Sequence, residues 1–182
     1  NREMAVLSSV FSHAMRLGLA NENPCRGVRR NRERARDRIP TAEELAAIRL
    51  AAKPPLRRAI DFSLMTAIRA SDLCKLDIAA IRDGVLELRT GKTGQKLAIE
   101  LSGDLARLVE EARGNRKIGP LLLTYRGARW TPRAIDSAWT KARATAGVTG
   151  LHWHDLRAWA LTQADEQGGR EEARKLGSHK RA

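Results

Sequence analysis

The chain has 182 residues, 42% of them hydrophobic, which is enough to close one full domain around a core with an appendage left over, and which excludes a disordered tail. Thirty-four lysines and arginines against 21 acidic residues give a net charge of +13, so a polyanionic partner is expected, with nucleic acid ahead of an anionic membrane. No apolar run reaches spanning length, no charged-then-apolar leader is present, and Cys25 and Cys74 lack CxxC spacing; no membrane partner, zinc site or disulfide framework is expected, and the compartment is a reducing, cytoplasmic one.

Met4, Leu7, Val10, Phe11, Ala14 and Met15 recur at three and four residues and predict a helix of about four turns. Gly18 and Asn21-Glu22-Asn23-Pro24 end it. One helix cannot bury that face alone, so residues 1–25 read as the end of a helical domain. Residues 26–40 follow as a linker, with Arg26, Arg29, Arg30, Arg32, Arg34, Arg36 and Arg38 against only Glu33 and Asp37, suited to lie along a DNA backbone.

The second domain takes residues 41–182. Thr41-Ala-Glu-Glu is a capping-box pattern and predicts a helix to about Ala52, broken by Lys53-Pro54-Pro55. Leu56, Ala59, Ile60, Ser63, Leu64 and Ala67 mark the next helix, and Ser71 is placed to cap a short one through Leu76. The period then drops to two: Leu86 and Leu88 alternate with Glu87 and Arg89, and Leu97, Ile99 and Leu101 with Ala98 and Glu100, which predicts paired strands. Asp83-Gly84 is a tight turn before the first strand, and the loop from Thr90 to Gln95 puts Lys92 at a hairpin tip, with Lys96 just beyond. Helices resume from about Gly103 to Ala112 and from Pro132 to Ala146. A last one spans Leu151–Gln163, with His154, Arg157 and Leu161 on one face and Leu156, Trp159 and Ala160 on the other. Trp130, Trp139, Trp153 and Trp159 are assigned to the core. The fold class is mainly α with a small antiparallel β-sheet, α+β.

An imidazole beside a guanidinium supplies a proton carrier near neutral pH and a planar fork of donors, a pairing suited to a phosphate. Alone, His-x-x-Arg is a weak pattern. Here it stands third in a series: Arg69 in Thr-Ala-Ile-Arg-Ala-Ser-Asp-Leu, Lys92 in Thr-Gly-Lys-Thr-Gly, His154 with Arg157, and His179 in Leu-Gly-Ser-His. Over residues 41–182 the series resembles the tyrosine recombinases, the phage-integrase family. That family has an Arg before Ser-Asp/Glu-Leu, a Lys on a β-hairpin, His-x-x-Arg, Leu-Gly-His and then a nucleophilic tyrosine. The resemblance also implies that the first residues end a core-binding domain joined by an extended linker, the two domains clamping DNA.

Carried over, Arg69 and Arg157 would grip the scissile phosphate as charge grows on it. Lys92, ahead of its rival Lys96, would protonate the leaving 5′ oxygen, His154 would accept or orient the nucleophile's proton, and His179 would bond the phosphate. The resemblance implies site-specific DNA recombination through a 3′-phosphotyrosyl intermediate on double-stranded DNA, by a tetramer of the intact protein, with no cofactor or metal. Lys96 and the linker arginines would contact DNA. A non-catalytic DNA-binding relative and a type IB topoisomerase are the other readings. Three departures stand out. Ala67 replaces the glycine usual before the first arginine, Ser178 is inserted before His179, and no tyrosine follows His179 before Ala182. Tyr125, the single tyrosine, is read as packing, and this chain as given is expected to form no covalent intermediate.

Overall fold

The computed structural model describes residues 1–32, 38–91, 94 and 96–178, and of 172–175, 177 and 178 the backbone alone. The chain divides into two compact units, Asn1–Asp37 and Arg38–Ala182.

In the first unit α1 spans Arg2–Arg16 and buries no residue completely. Of its expected apolar face, Leu7 and Val10 stand 45% and 57% exposed, because among the described residues of this unit no second helix covers them. What holds the following segment to α1 is polar. Asn23 is buried, and its amide donates to the Ser8 carbonyl at 3.0 Å and to the Ser8 and Ser12 hydroxyls at 3.1 Å. Its carbonyl oxygen accepts from the Cys25 N–H at 3.0 Å. The chain therefore turns back along α1 before Pro24 redirects it.

The second unit runs α2 (Ala42–Ala51), α3 (Pro54–Thr66), α4 (Ala70–Leu73), a 3₁₀ turn (Ile78–Ala80), β1 (Ile81–Arg82), β2 (Val85–Arg89), β3 (Lys96–Glu100), α5 (Gly103–Arg113), α6 (Pro132–Thr145) and α7 (Asp155–Ser178). The capping box forms as the sequence predicts, with the Thr41 hydroxyl accepting from Glu44 N and the Glu44 carboxylate accepting from Thr41 N at 3.0 Å. Pro54 and Pro55 occupy the first turn of α3, where a missing N–H leaves nothing unsatisfied; the same tripeptide that stops α2 starts α3.

Helix α3 is the centre of the unit. Leu56, Ala59, Ile60 and Phe62 are buried on it, and α2, α5, α6 and α7 pack around it. The sheet has the order β1-β2-β3, all antiparallel. Asp83 and Gly84, both at positive φ (50° and 74°), make the two-residue turn between β1 and β2, the geometry that matches strand twist. The two-residue strand β1 is too short to show a period and so leaves no mark in the sequence. Leu86 opposite Ile99 and Leu88 opposite Leu97 turn the apolar face inward, and Glu87, Ala98 and Glu100 face out.

The tryptophans close the core between α6 and the segment before α7. Trp139 and Trp153 meet edge to face at 5.6 Å between ring centroids, and the Trp139 indole N–H donates to the Leu151 carbonyl at 3.4 Å. Trp130 is buried too, and Trp159 packs half-buried against the same core. Helix α7 extends well past Gln163, interrupted at Gly169 (φ 75°, ψ 179°), a backbone conformation open to glycine.

Candidate functional site

Helix α3 ends at Ala67, which is left-handed (φ 48°) and donates its N–H to the Ser63 carbonyl at 2.9 Å. That conformation costs a non-glycine residue about 1–2 kcal/mol; the methyl is fully buried, which offsets about 0.8 kcal/mol. The reversal drives Ile68 into the core and leaves Arg69 as the N-cap residue of α4. Helix α4 thus begins at Ala70, and Ser71, expected to cap it, lies inside it. The Arg69 carbonyl receives the N–H groups of Asp72 and Leu73 at 2.9 and 2.8 Å, so the arginine's backbone is held while its half-buried side chain stays available.

The second half of the site comes from the start of α7. Trp153 and Leu156 are buried and pin the segment to the core. The Asp155 carboxylate accepts from the His152 N–H at 2.7 Å, and the helix starts at Asp155. His154 therefore precedes the helix rather than sharing its face with Arg157 and Leu161, as helical spacing alone implied. It stays next to Arg157 by another route, its carbonyl accepting the Arg157 N–H at 3.1 Å. The Arg157 guanidinium in turn donates through Nη1 to the Ala67 carbonyl. The left-handed residue thereby orients one arginine and sets the position of the other.

Arg69, His154 and Arg157 line one cavity of about 250 Å³, together with Ser63, His152 and Asp136 and with apolar walls from Ile68, Pro132, Ile135, Trp153 and Leu156. This is several times the ~30 Å³ share of a single water. Burial lowers the affinity of the Arg157 guanidinium for its proton below the usual arginine range, the Arg69 charge lowers it further, and Asp72 opposes both. Two cations sharing poorly solvated space repel each other, and an anion between them relieves that repulsion.

Asp72 is the residue that pattern reading missed. It is 1% exposed, and its Oδ1 accepts from the Gly91 N–H at 2.8 Å. Gly91 sits at the foot of the β2–β3 loop, so α4 holds that loop at its base. A Cβ on Gly91 would come within 2.5 Å of the Lys75 ammonium and 3.5 Å of Asp72 Oδ1, which shows how closely loop and helix approach. The signal in the sequence was an acid three residues after Arg69, visible only as part of a motif. Lys92, on that loop, and His179 lie outside the described residues, as do Arg34 and Arg36.

Of the other basic residues, Arg26, Arg29, Arg30 and Arg32 are exposed in the first unit. Arg38, in the second unit, is already engaged: it pairs with Glu44 at 2.5 Å and donates to the Thr149 carbonyl at 3.1 Å. Lys96 stands opposite Arg89 at the start of β3 and shares the outer sheet surface with it and Arg82; it does not line the arginine cavity. Tyr125 corrects the expectation of packing. It is 77% exposed, because the turn closed by Gly127 N–H to the Thr124 carbonyl at 2.9 Å projects it outward. The Lys53 ammonium lies 4.9 Å from its ring centre, in a recess shared with Trp130 and Lys141 rather than with Arg69. Among the described residues no three His, Cys, Asp or Glu side chains are grouped to hold a metal ion, and no helix is long and apolar enough to cross a membrane.

A cavity walled by apolar side chains and furnished with two guanidinium groups and an imidazole, in a basic α+β domain, suits a tetrahedral oxyanion such as phosphate. The chain belongs to the phage integrase family, whose model matches residues 39–182. The integrase of Escherichia phage HK022 is 29% identical over 190 residues, covering 97% of this chain and 53% of that protein, so the chain spans about half the length of this relative. Lambda integrase, in a tetramer bound to a Holliday junction, superposes with a TM-score of 0.82 at 23% identity over 98% of this chain and 57% of its own. The catalytic core of lambda integrase superposes at 0.71 and 25% identity over 81% of this chain and 94% of its own.

Proposed function

We propose that the chain is the catalytic part of a site-specific DNA recombinase that cuts and rejoins duplex DNA through a 3′-phosphotyrosyl intermediate. The observation that carries this reading is the meeting of Arg69, His154 and Arg157 on one cavity although Arg157 and the α3 terminus it bonds are 90 residues apart. In it, Arg69 and Arg157 bond the non-bridging oxygens of the scissile phosphate as charge develops there. His154 takes or orients the proton of the nucleophile, and Lys92, on the loop tethered by Asp72, protonates the 5′ oxygen as it leaves. His179 adds a further hydrogen bond to the phosphate. Residues 1–25 belong to a core-binding domain and residues 26–40 to a linker on the DNA backbone. The intact protein works as a DNA-bound tetramer in the bacterial cytoplasm, an assembly that the Holliday-junction complex of lambda integrase supports by likeness of fold.

Tyr125 is not the nucleophile in this reading, because its recess shares no lining residue with the arginine cavity. The test is to incubate the 182-residue chain and a version extended past Ala182 with a nicked duplex that traps the covalent complex, and to separate the products under denaturing conditions. The extended protein is expected to shift and the shorter one not to. No covalent product from the extended protein on its own site would favour a non-catalytic DNA-binding role. A band from the shorter chain, abolished by Tyr125→Phe, would make Tyr125 the nucleophile.

A further inference from the structure

Ser63 reaches the arginine cavity from α3, one turn before the left-handed Ala67. It is 1% exposed, and its hydroxyl has no hydrogen-bond partner among the described residues. A serine or threonine within a helix commonly turns its hydroxyl onto the carbonyl four residues earlier. Thr66, three positions on, does so and donates to the Phe62 carbonyl at 2.6 Å. Ser63 does not, although its helix neighbours Ala59, Ile60 and Phe62 are buried and apolar. An unbonded buried hydroxyl is a cost that alanine at the same place would avoid.

We propose that Ser63 is a further phosphate-binding residue of this site, its hydroxyl donating to a non-bridging oxygen of the oxyanion held between Arg69 and Arg157. The inference rests on the function proposed above and extends its set of ligands. A hydroxyl is suited to this position because it adds a donor without adding a third positive charge to a space where two guanidinium groups already oppose each other. Rotation about its single χ1 angle moves the oxygen between staggered positions, so the side chain can turn to the oxyanion with no movement of α3.

The experiment is a titration of the 182-residue chain with inorganic phosphate, followed by calorimetry and by the melting temperature, for the parent, Ser63→Ala and Arg69→Ala. Ser63→Ala is expected to weaken phosphate binding about tenfold, the effect of one hydrogen bond to a charged group. Without phosphate it is expected to melt at the same temperature as the parent or higher, since only an unbonded group has been removed. Unchanged phosphate affinity in Ser63→Ala beside weakened affinity in Arg69→Ala would overturn the role of Ser63 and leave the site reading standing. A lower melting temperature of phosphate-free Ser63→Ala would overturn it as well, by showing that the hydroxyl is bonded within the protein. If Arg69→Ala binds phosphate like the parent, the cavity is not the oxyanion site, and both readings fall together.

Discussion

Arg157 donates from Nη1 to the Ala67 carbonyl while lining the cavity, an arrangement that a lysine cannot reproduce because it offers one compact ammonium instead of a planar set of donors. In the intact protein, Arg157→Lys is expected to lower DNA cleavage about 100-fold or more while duplex affinity changes only a few-fold; equal losses in both assays would mark the arginine as structural. Ala67 itself is a compromise between backbone strain and a buried methyl. Ala67→Gly is therefore expected to change unfolding free energy by less than about 1 kcal/mol, whereas Ala67→Val, with a β-branched side chain at positive φ, should cost about 2 kcal/mol or more, both measured by urea unfolding. Cys74 carries a third expectation. Burial pushes its thiol up from 9.0 to about 11, with Arg129 opposing, so in the native protein a thiol reagent should modify the half-exposed Cys25 and leave Cys74 until unfolding. The folded state keeps that proton between about pH 9 and 11 while the unfolded chain releases it, so stability falls as pH rises through that window; a melting temperature that held constant there would count against this. At this scale the grouping of Arg69, His154 and Arg157 on one cavity was legible in the sequence, because their order forms a motif. Ser63 was concealed, because a hydroxyl among apolar helix positions carries no period. Tyr125 misled, because an aromatic ring suggests burial whereas a tight turn decides direction.

Between elements, the contact of greatest consequence is the bond from Gly91 to Asp72, which ties the β2–β3 loop to α4. Removing the carboxylate leaves a donor without its acceptor and takes away a negative charge that acts on Arg157. Asp72→Ala is expected to destabilise the protein by about 2–4 kcal/mol and, on the proposed function, to slow DNA cleavage. A variant as stable as the parent in chemical denaturation would show that the bond is dispensable. Element boundaries were legible to within a residue or two where a chemical signal marks them: the capping box at Thr41, Pro132 in the first turn of α6, and the alternation that marks β2 and β3; the prolines after Lys53 marked the end of α2, while their place in the first turn of α3 came from the structure. Boundaries were not legible at α4 or at the start of α7. There, a reversal at Ala67 and a bond from Asp155 to the backbone at His152 set the starting residue, and both depend on tertiary packing.

For the molecule as a whole, if the proposed function holds, the excess of 13 positive charges should make counterion release the largest contribution to DNA affinity. Binding of a short duplex by this chain is expected to weaken by about 10³-fold or more between 50 and 200 mM salt, for six or more phosphate contacts; a nearly flat salt response in a fluorescence-anisotropy titration would contradict it. Composition alone supports that inference, and the α+β class follows from the change of period. What no composition could supply is that the Asn23 amide bonds the segment after α1 back to Ser8 and Ser12 of that helix. The hydrogen bond from Arg157 to Ala67, 90 residues apart, has a further consequence during synthesis. At about 5–20 residues per second, the ribosome delivers the second arginine roughly 4–18 s after the α3 terminus that holds it. Throughout that interval the nascent chain is already basic but has no assembled cavity, so on the proposed function it would meet nucleic acid before it could act on it.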